Sequence, residues 1–337
     1  MAKIVTMGEI MMRLSTEGYN RFIQSDEFKV CFGGGEANVA VSLANFGHEV
    51  EFVTKLPQNP IGDCVTAELR KMNVGTKYIA RGGERLGIYF VETGASMRAT
   101  NVVYDRAHSS MSEADPEDFD FDKIFEGADW FHFSGITPAI SDKAAELTEI
   151  ALKAAKKKGL TVSCDINFRK KLWSMEKARE VMTRLMQYVD VCKDAEEVLG
   201  CRENTYTVGG DLKLDEHEKM SRELAEKFGF KYVIGSLRES YSASDNDWSA
   251  CIYDARKGEF HHSKKYSIRI VDRVGGGDAF AGGLICGLLD GKDAKAALEF
   301  GAAAAALKHT IPGDMNLVSR TEVEALAGGD GSGSVQR

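Results

Sequence analysis

The chain has 337 residues, with 43 Lys and Arg against 51 Asp and Glu for a net charge of −8, 43% hydrophobic and 28% charged residues, 34 Gly and 5 Pro. It is too apolar for a disordered chain and too charged for a membrane protein, and is long enough for one large α/β domain with an appendage or for two domains. The acidic balance, without a long run of like charges, excludes the basic face that nucleic acid or an anionic membrane selects, and leaves a small molecule as the expected partner.

In chain order, Ile4–Met7 predicts a strand, Ala37–Phe46 a helix ended by Gly47, Val50–Thr54 a strand and Asp63–Met72 a helix. Trp130–Phe133 then predicts a strand before a helix at Asp142–Lys157, and Leu160–Cys164 one before a helix at Glu176–Tyr188. A helix at Glu216–Lys227 precedes a strand at Tyr232–Ile234. Such alternation is the pattern of a doubly wound, mostly parallel sheet flanked by helices. Two segments break it. Met11–Phe32 and Arg85–Tyr104 hold short alternating stretches, Phe28–Phe32, Gly87–Val91 and Asn101–Tyr104, with no helix between, and predict a small antiparallel sheet serving as a lid or an oligomer contact. The expected division is an α/β core of residues 1–10, 33–84 and 105–327, a β-sheet lid of 11–32 and 85–104, and a flexible Gly/Ser tail at 328–337.

The N-terminal Met1–Glu9 lacks an apolar stretch behind a basic start, and no later stretch reaches the roughly 18 apolar residues of a membrane span, so a cytoplasmic protein is expected. The seven cysteines form no C-x-x-C and mostly lie inside apolar runs, against disulfides and structural zinc. The histidines show no metal spacing, and His261 and His262 are expected on an exposed strand.

The strongest local motif is Ile270–Gly283, where a strand runs into Gly275, Gly276 and Gly277 and then a helix whose first turn carries Asp278. Unhindered backbone N–H groups and the positive helix end converge there, an arrangement that can hold a phosphoryl group beside a proton acceptor; an acid capping a helix is the structural alternative. A second loop, Gly33-Gly34-Gly35-Glu36-Ala37-Asn38, also lies between strand and helix. Asn38 stands where a dinucleotide-binding glycine motif needs Gly or Ala, so the loop suits a site where backbone and amide groups meet sugar hydroxyls better than it suits a dinucleotide. Neither the P-loop nor the protein-kinase motifs are present.

These two glycine loops, in their order and separation, resemble the ribokinase-like (PfkB) carbohydrate kinases over about the whole chain. Leu56–Asp63, Phe133–Thr137, Cys164–Arg169 and Ser236–Ser240 fall where that family has similar segments. Gly34, Tyr89, Tyr104-Asp105-Arg106, Arg169, Asp272–Asp278 and Pro312-Gly313-Asp314 are most similar to members that act on 2-dehydro-3-deoxygluconate. The resemblance implies ATP-dependent phosphorylation of the terminal hydroxyl of that sugar acid. It makes Asp278 the acceptor of the hydroxyl proton, aided by the N–H groups of Gly275, Gly276 and Gly277; in a loose transition state a carboxylate of ordinary pKa suffices for that role. It further implies sugar contacts from Gly34, Gly35, Asn38, Tyr89, Tyr104, Arg106, Arg169 and Asp314, and ATP contacts from Asn167, Arg169, Ser236, Arg238 and the three glycines. Magnesium is an expected cofactor, and the resemblance leaves open whether a monovalent cation is also required. Two arginines suit a carboxylate-bearing sugar, because guanidinium matches carboxylate bidentately. The sequence departs from the family at Lys193-Asp194-Ala195-Glu196-Glu197, where the usual Asn-x-x-Glu segment lacks its Asn, leaving Glu196 as the candidate magnesium residue. A neutral-sugar kinase of the fructokinase or ribokinase type, and a sugar-binding protein with impaired transfer, remain alternatives. A homo-oligomer, at least a dimer through the lid, is expected.

Overall fold

A computed structural model describes residues 1–200 and 213–334; Cys201 and the end of the expected tail, residues 335–337, lie outside the described residues. The chain enters through β1 (Lys3–Met7), leaves the core for β2 (Met11–Ser15) and β3 (Lys29–Gly33), and returns through α1 (Gly35–Asn45), β4 (Glu49–Leu56), α2 (Pro60–Lys71) and β5 (Ile79–Arg81). A second excursion forms β6 (Ile88–Glu92) and β7 (Asn101–Asp105). The core then resumes with α3 (Phe121–Ile124), β8 (Trp130–Ser134), α4 (Ile136–Ala139), α5 (Asp142–Lys157), β9 (Thr161–Asp165), α6 (Met175–Leu185), β10 (Val191–Lys193) and α7 (Glu196–Leu199). It closes with α8 (Leu214–Phe228), β11 (Tyr232–Ser240), β12 (Asp245–Asp254), β13 (Glu259–His262), β14 (Tyr266–Arg269), α9 (Gly276–Leu289), α10 (Ala294–Lys308) and α11 (Arg320–Gly328).

The main sheet runs β13-β12-β11-β10-β9-β8-β1-β4-β5, parallel from β11 to β5, with β14 paired to β12. Helices cover both faces, so its central strands are apolar almost throughout, as in the wholly buried Trp130–Ser134. One core layer packs α1, α9 and α10 on the sheet, and the other packs α5, α6 and α8. In the second layer, Phe119, Phe121, Phe125, Phe131 and Phe133 follow one another as an aromatic chain. The Ala- and Gly-rich α9 and α10 approach closely: a methyl group on Gly283 would lie 2.9 Å from Gly301 Cα. This close contact fixes α9, and with it the position of Asp278.

The expected sheet and helices are present, and several elements run past their sequence limits because pairing extends them. Tyr232–Ile234 lengthens to Tyr232–Ser240 by antiparallel pairing with β12. His261 and His262 lie on a strand but are half-buried there rather than exposed.

The small sheet has the order β3-β2-β6-β7 and is not wholly antiparallel. Each excursion is an antiparallel hairpin, but the two join through a parallel β2–β6 pair, Met12 opposite Ile88 and Leu14 opposite Phe90. The reason is geometric. β2 and β6 both leave the core in the same direction, so the strands that meet at the centre run the same way. The register sets Arg13, Cys31, Tyr89 and Tyr104 abreast on one face, and Leu14, Val30, Phe90 and Val103 on the other. Beyond the core, α11 ends at Gly328 and residues 329–334 form no helix or strand. Among the described residues no helix is long and apolar enough to cross a membrane.

Candidate active site

β1 sits where strand order reverses, with β4 and β5 added on one side and β8 to β11 on the other. In open α/β sheets a crevice forms at the carboxyl ends of the strands at such a point. Here it is a cleft of about 550 Å³, roofed by the inner face of the small sheet and reached by the N-termini of both α1 and α9.

Asn38, in the first turns of α1, donates from Nδ2 to Asp278 Oδ2 at 2.7 Å, joining the two glycine loops. Burial pushes the Asp278 carboxyl up to about 7; the Asn38 bond and Lys193 oppose this, while Asp165 and Asp314 add to it. An ordinary carboxylate would suffice for the role; the enclosure and neighbouring acids that raise this one are tertiary facts that no local motif carries. Gly275 has φ +82 and caps α9 in the left-handed region, and a Cβ there would lie 1.9 Å from the Asp314 carbonyl oxygen. No other residue fits that turn. Gly275, Gly277 and Asp278 line the cleft, whereas Gly276 faces inward over the buried ring of His309.

The expected sugar-side residues Gly34, Gly35, Asn38, Tyr89, Tyr104, Arg106, Arg169 and Asp314 all line the cleft. Besides Asn38, three of them, Tyr89, Asp314 and Arg106, carry bonds the sequence did not foretell. The Tyr89 hydroxyl donates to Asp314, and Arg106 pairs with Glu9 through Nε at 2.8 Å and through a second, closer contact. Arg169 is exposed and makes no ion pair among the described residues, its Nη1 donating to the Phe168 carbonyl at 3.3 Å. The Tyr89 and Tyr104 rings lie 5.9 Å apart, and the Arg106 guanidinium lies 5.7 Å from the Tyr104 ring centre.

On the other side stand Asn167, Ser236 and Arg238. Asn167 has a positive φ of 41, and the Arg238 guanidinium stacks 4.9 Å from the Trp248 ring centre. Between them Lys193 is buried, its Nζ 2.8 Å from Asp165 and 2.6 Å from Asp194. Asp194, against its own burial, is held below the usual carboxylate range by Lys193 and by the Ser236 N–H and hydroxyl. Glu196 is not in the cleft. It turns into the core, accepts from His217 Nδ1 at 2.7 Å and is 3% exposed. Glu197, one position along α7, lines the cleft instead. A helix turns about 100° per residue, and the missing Asn gave the sequence no register for deciding which of two adjacent acids faces in.

Other residues escaped the sequence reading. Arg13 lies on β2, buried, with Nη1 2.6 Å from Asp314 and Nη2 2.8 Å from Asp272. Glu36 Oε1 accepts from the Ser134 N–H and hydroxyl and from the Thr137 hydroxyl, tying the start of α1 to the end of β8. Burial raises its pKa. A charged residue at an inward position of an otherwise apolar strand was the available signal for Arg13.

The site is a cleft with a buried acid at a glycine-rich helix start, on this sheet order, and the class of protein, a carbohydrate kinase, is set by its family. Residues 1–321 match the profile of the pfkB family carbohydrate kinases, and the chain belongs to that family. It is 35% identical over 331 residues to 2-dehydro-3-deoxygalactonokinase of Haloferax volcanii, covering 98% of each chain. The crystal structure of 2-dehydro-3-deoxygluconokinase from Thermotoga maritima superposes with a TM-score of 0.92 at 52% identity, covering 97% of this chain and 98% of that one. Fructokinase with bound ATP from Xylella fastidiosa has a TM-score of 0.73 at 22% identity over 96% of this chain and 97% of that one, a likeness of fold.

Proposed function

We propose that this chain transfers the γ-phosphoryl group of ATP to the terminal hydroxyl of 2-dehydro-3-deoxygluconate, in the cytoplasm, where ATP is available. The observation that carries the reading is Asp278, raised to about 7 at the start of α9 and facing the same cleft as Arg106 and Arg169. The sugar lies against Gly34, Gly35, Asn38, Tyr89, Tyr104 and Asp314 beneath the small sheet, which serves as the lid, with its carboxylate toward the arginines. ATP lies along Asn167, Arg169, Ser236 and Arg238, with its terminal phosphate over Gly275 and Gly277. The sugar oxygen attacks the γ-phosphorus, its proton passes to Asp278, and the electron pair of the breaking P–O bond leaves on the β-phosphate of ADP. Charge on the moving phosphoryl group meets N–H groups at the α9 N-terminus and the Lys193 ammonium, whose Nζ is 3.9 Å from where a Gly277 Cβ would sit.

Magnesium would be held chiefly by the triphosphate and by water, with Glu197 as its acidic neighbour, because Lys193 already engages Asp165 and Asp194. When bound, it neutralises phosphate charge. That donor set fits a water-rich magnesium and leaves Glu196 no part.

The outer face of the small sheet carries Leu14, Val30, Phe90 and Val103, with Val30 and Val103 about half exposed at 53% and 51%. We propose that a second copy covers it, giving at least a dimer, since a soluble chain seldom leaves a contiguous apolar strand face open.

ADP release measured over a panel of acidic and neutral sugars tests the main reading. Turnover on 2-dehydro-3-deoxygluconate, above that on its galactonate epimer and well above fructose or ribose, is expected. Equal turnover on fructose points to a neutral-sugar kinase, and ATP binding without ADP release on any sugar points to a binding protein.

A further inference from the structure

Lys308, the last residue of α10, is wholly buried and makes no ion pair among the described residues, a rare setting for a lysine. Its Nζ donates to two backbone carbonyls, those of Asp272 and Ile311, each at 3.3 Å. The first carbonyl belongs to the segment that leads into Gly275–Asp278, and the second to the turn between α10 and Asp314. The same two segments are laced together around the lysine. The His309 carbonyl accepts from the N–H groups of Val271 and Asp272, at 2.8 and 3.2 Å. The Asp272 carboxylate accepts from the N–H groups of Val274 and Gly313, at 3.1 and 3.0 Å, and pairs with Arg13. Burial pushes the lysine pKa down, and the carboxylates of Asp272 and Asp314 push it back up.

A monovalent cation that locked these segments together would be coordinated by loop carbonyls and a neighbouring carboxylate. Those oxygens are taken. The carbonyls of Asp272 and Ile311 accept from Lys308, and the Asp272 carboxylate is satisfied by Arg13 and two backbone N–H groups. An ion placed there would meet an ammonium group where a coordination cage requires open oxygens, so the residues present do not fit the cation requirement that the resemblance left open.

We propose that Lys308 is a built-in substitute for a monovalent cation: its ammonium group holds the Asp272–Asp278 segment against the turn after α10 and makes phosphoryl transfer independent of potassium and sodium. Lys308 touches neither substrate and acts as a positioning residue. The rate measurement rests on the kinase reading above; the ion-binding measurement does not.

Turnover of the wild-type enzyme in tetramethylammonium and in potassium buffers, at a matched ionic strength of about 0.1 M, is expected to be the same. Lys308→Ala removes the charge and leaves room for an ion. In tetramethylammonium it is expected to lose about 10²-fold in kcat, as a misplaced catalytic group does, with KM for ATP little changed. Potassium or ammonium, whose ionic radii are close, should restore much of that loss, and lithium should not. Rescue graded by ion size is a response that a merely structural lysine would not produce. Thermal unfolding without substrates gives the second readout: potassium should raise the midpoint of the variant and not that of the wild type, whether or not the sugar panel identifies a substrate. Should Lys308→Ala fail to fold, Lys308→Gln replaces it, and the wild-type comparison stands by itself. Potassium stimulation of the wild type, full turnover of the variant without any small cation, or a loss that no ion restores would each overturn the proposal.

Discussion

The Tyr89 hydroxyl donates to the carboxylate of Asp314, joining the second hairpin of the small sheet to the turn after α10. Arg13, from the first hairpin, reaches the other oxygen of the same carboxylate at 2.6 Å. Both hairpins are thus fastened to one residue of the core, and that residue lines the cleft. Tyr89→Phe is expected to cost about 1.5–3 kcal/mol, the range for a hydrogen bond to a charged group. Because the fastening also shapes the sugar side, KM for the sugar should rise more than kcat falls. Denaturant unfolding together with steady-state kinetics checks both.

Asp278→Asn should keep sugar and ATP binding while lowering kcat at least about 10²-fold, the lower range for loss of a general base. In the wild type, kcat/KM should climb as pH rises through about 7, where burial sets the carboxyl. A pH–rate profile in free enzyme reads that limb directly, and a limb near pH 4 would show that burial does not raise the Asp278 carboxyl.

The same carboxyl carries a stability cost with a definite sign. Its pKa rises from 3.8 to about 7 on folding, so between those values the folded state holds a proton that the unfolded state has released. Stability therefore declines as pH increases across that window, and the full cost applies above it. Asp278→Asn should be more stable than the wild type at about pH 8, by up to about 4 kcal/mol, and show little gain at about pH 4. Urea unfolding at the two pH values measures the difference.

Arg106 and Arg169 should behave differently when removed. Arg106→Ala leaves the buried Glu9 carboxylate without its partner, and is expected to cost about 3–5 kcal/mol in stability as well as sugar affinity. Arg169→Ala breaks no ion pair and should stay within about 0.5 kcal/mol of the wild type in stability, while raising KM for the acidic sugar. Calorimetry beside kinetics on acidic and neutral sugars tells the two apart.

Both glycine loops, Asp278 and the alternation of the core were legible in the sequence because each is a local pattern within a few residues. The parallel centre of the small sheet was not, since the pairing of Met12 with Ile88 is decided by where two distant strands leave the core. Lys193 was visible only as part of a segment that lacks the family's Asn. Its value as a buried ammonium between Asp165 and Asp194 depends on β9 and β10 lying side by side in register. Glu196 and Glu197 differ by one helical step, and only the packing of His217 decides which of them turns inward.

Val103→Glu places a charge on the outer face of the small sheet, opposite Phe90. It should shift the protein from dimer to monomer in sedimentation and weaken sugar binding with little change in monomer stability. A wild type that is already monomeric and fully active would show that this face needs no second copy.

The junction of β2 with β6 also bears on the order in which the molecule is made. As a ribosome delivers the chain, the first hairpin emerges early and must wait for α1, β4, α2 and β5 before the strand that completes its sheet arrives. Closing a loop of that length carries an entropic cost that local pairs avoid, so the small sheet is expected to form late, on a core already assembled. Until then Arg13 has no Asp314 to meet, because that acid lies near the opposite end of the chain. The cleft is therefore finished only after nearly the whole polypeptide has been synthesised, and a nascent chain that stalls before α10 lacks the residue to which both hairpins are fastened.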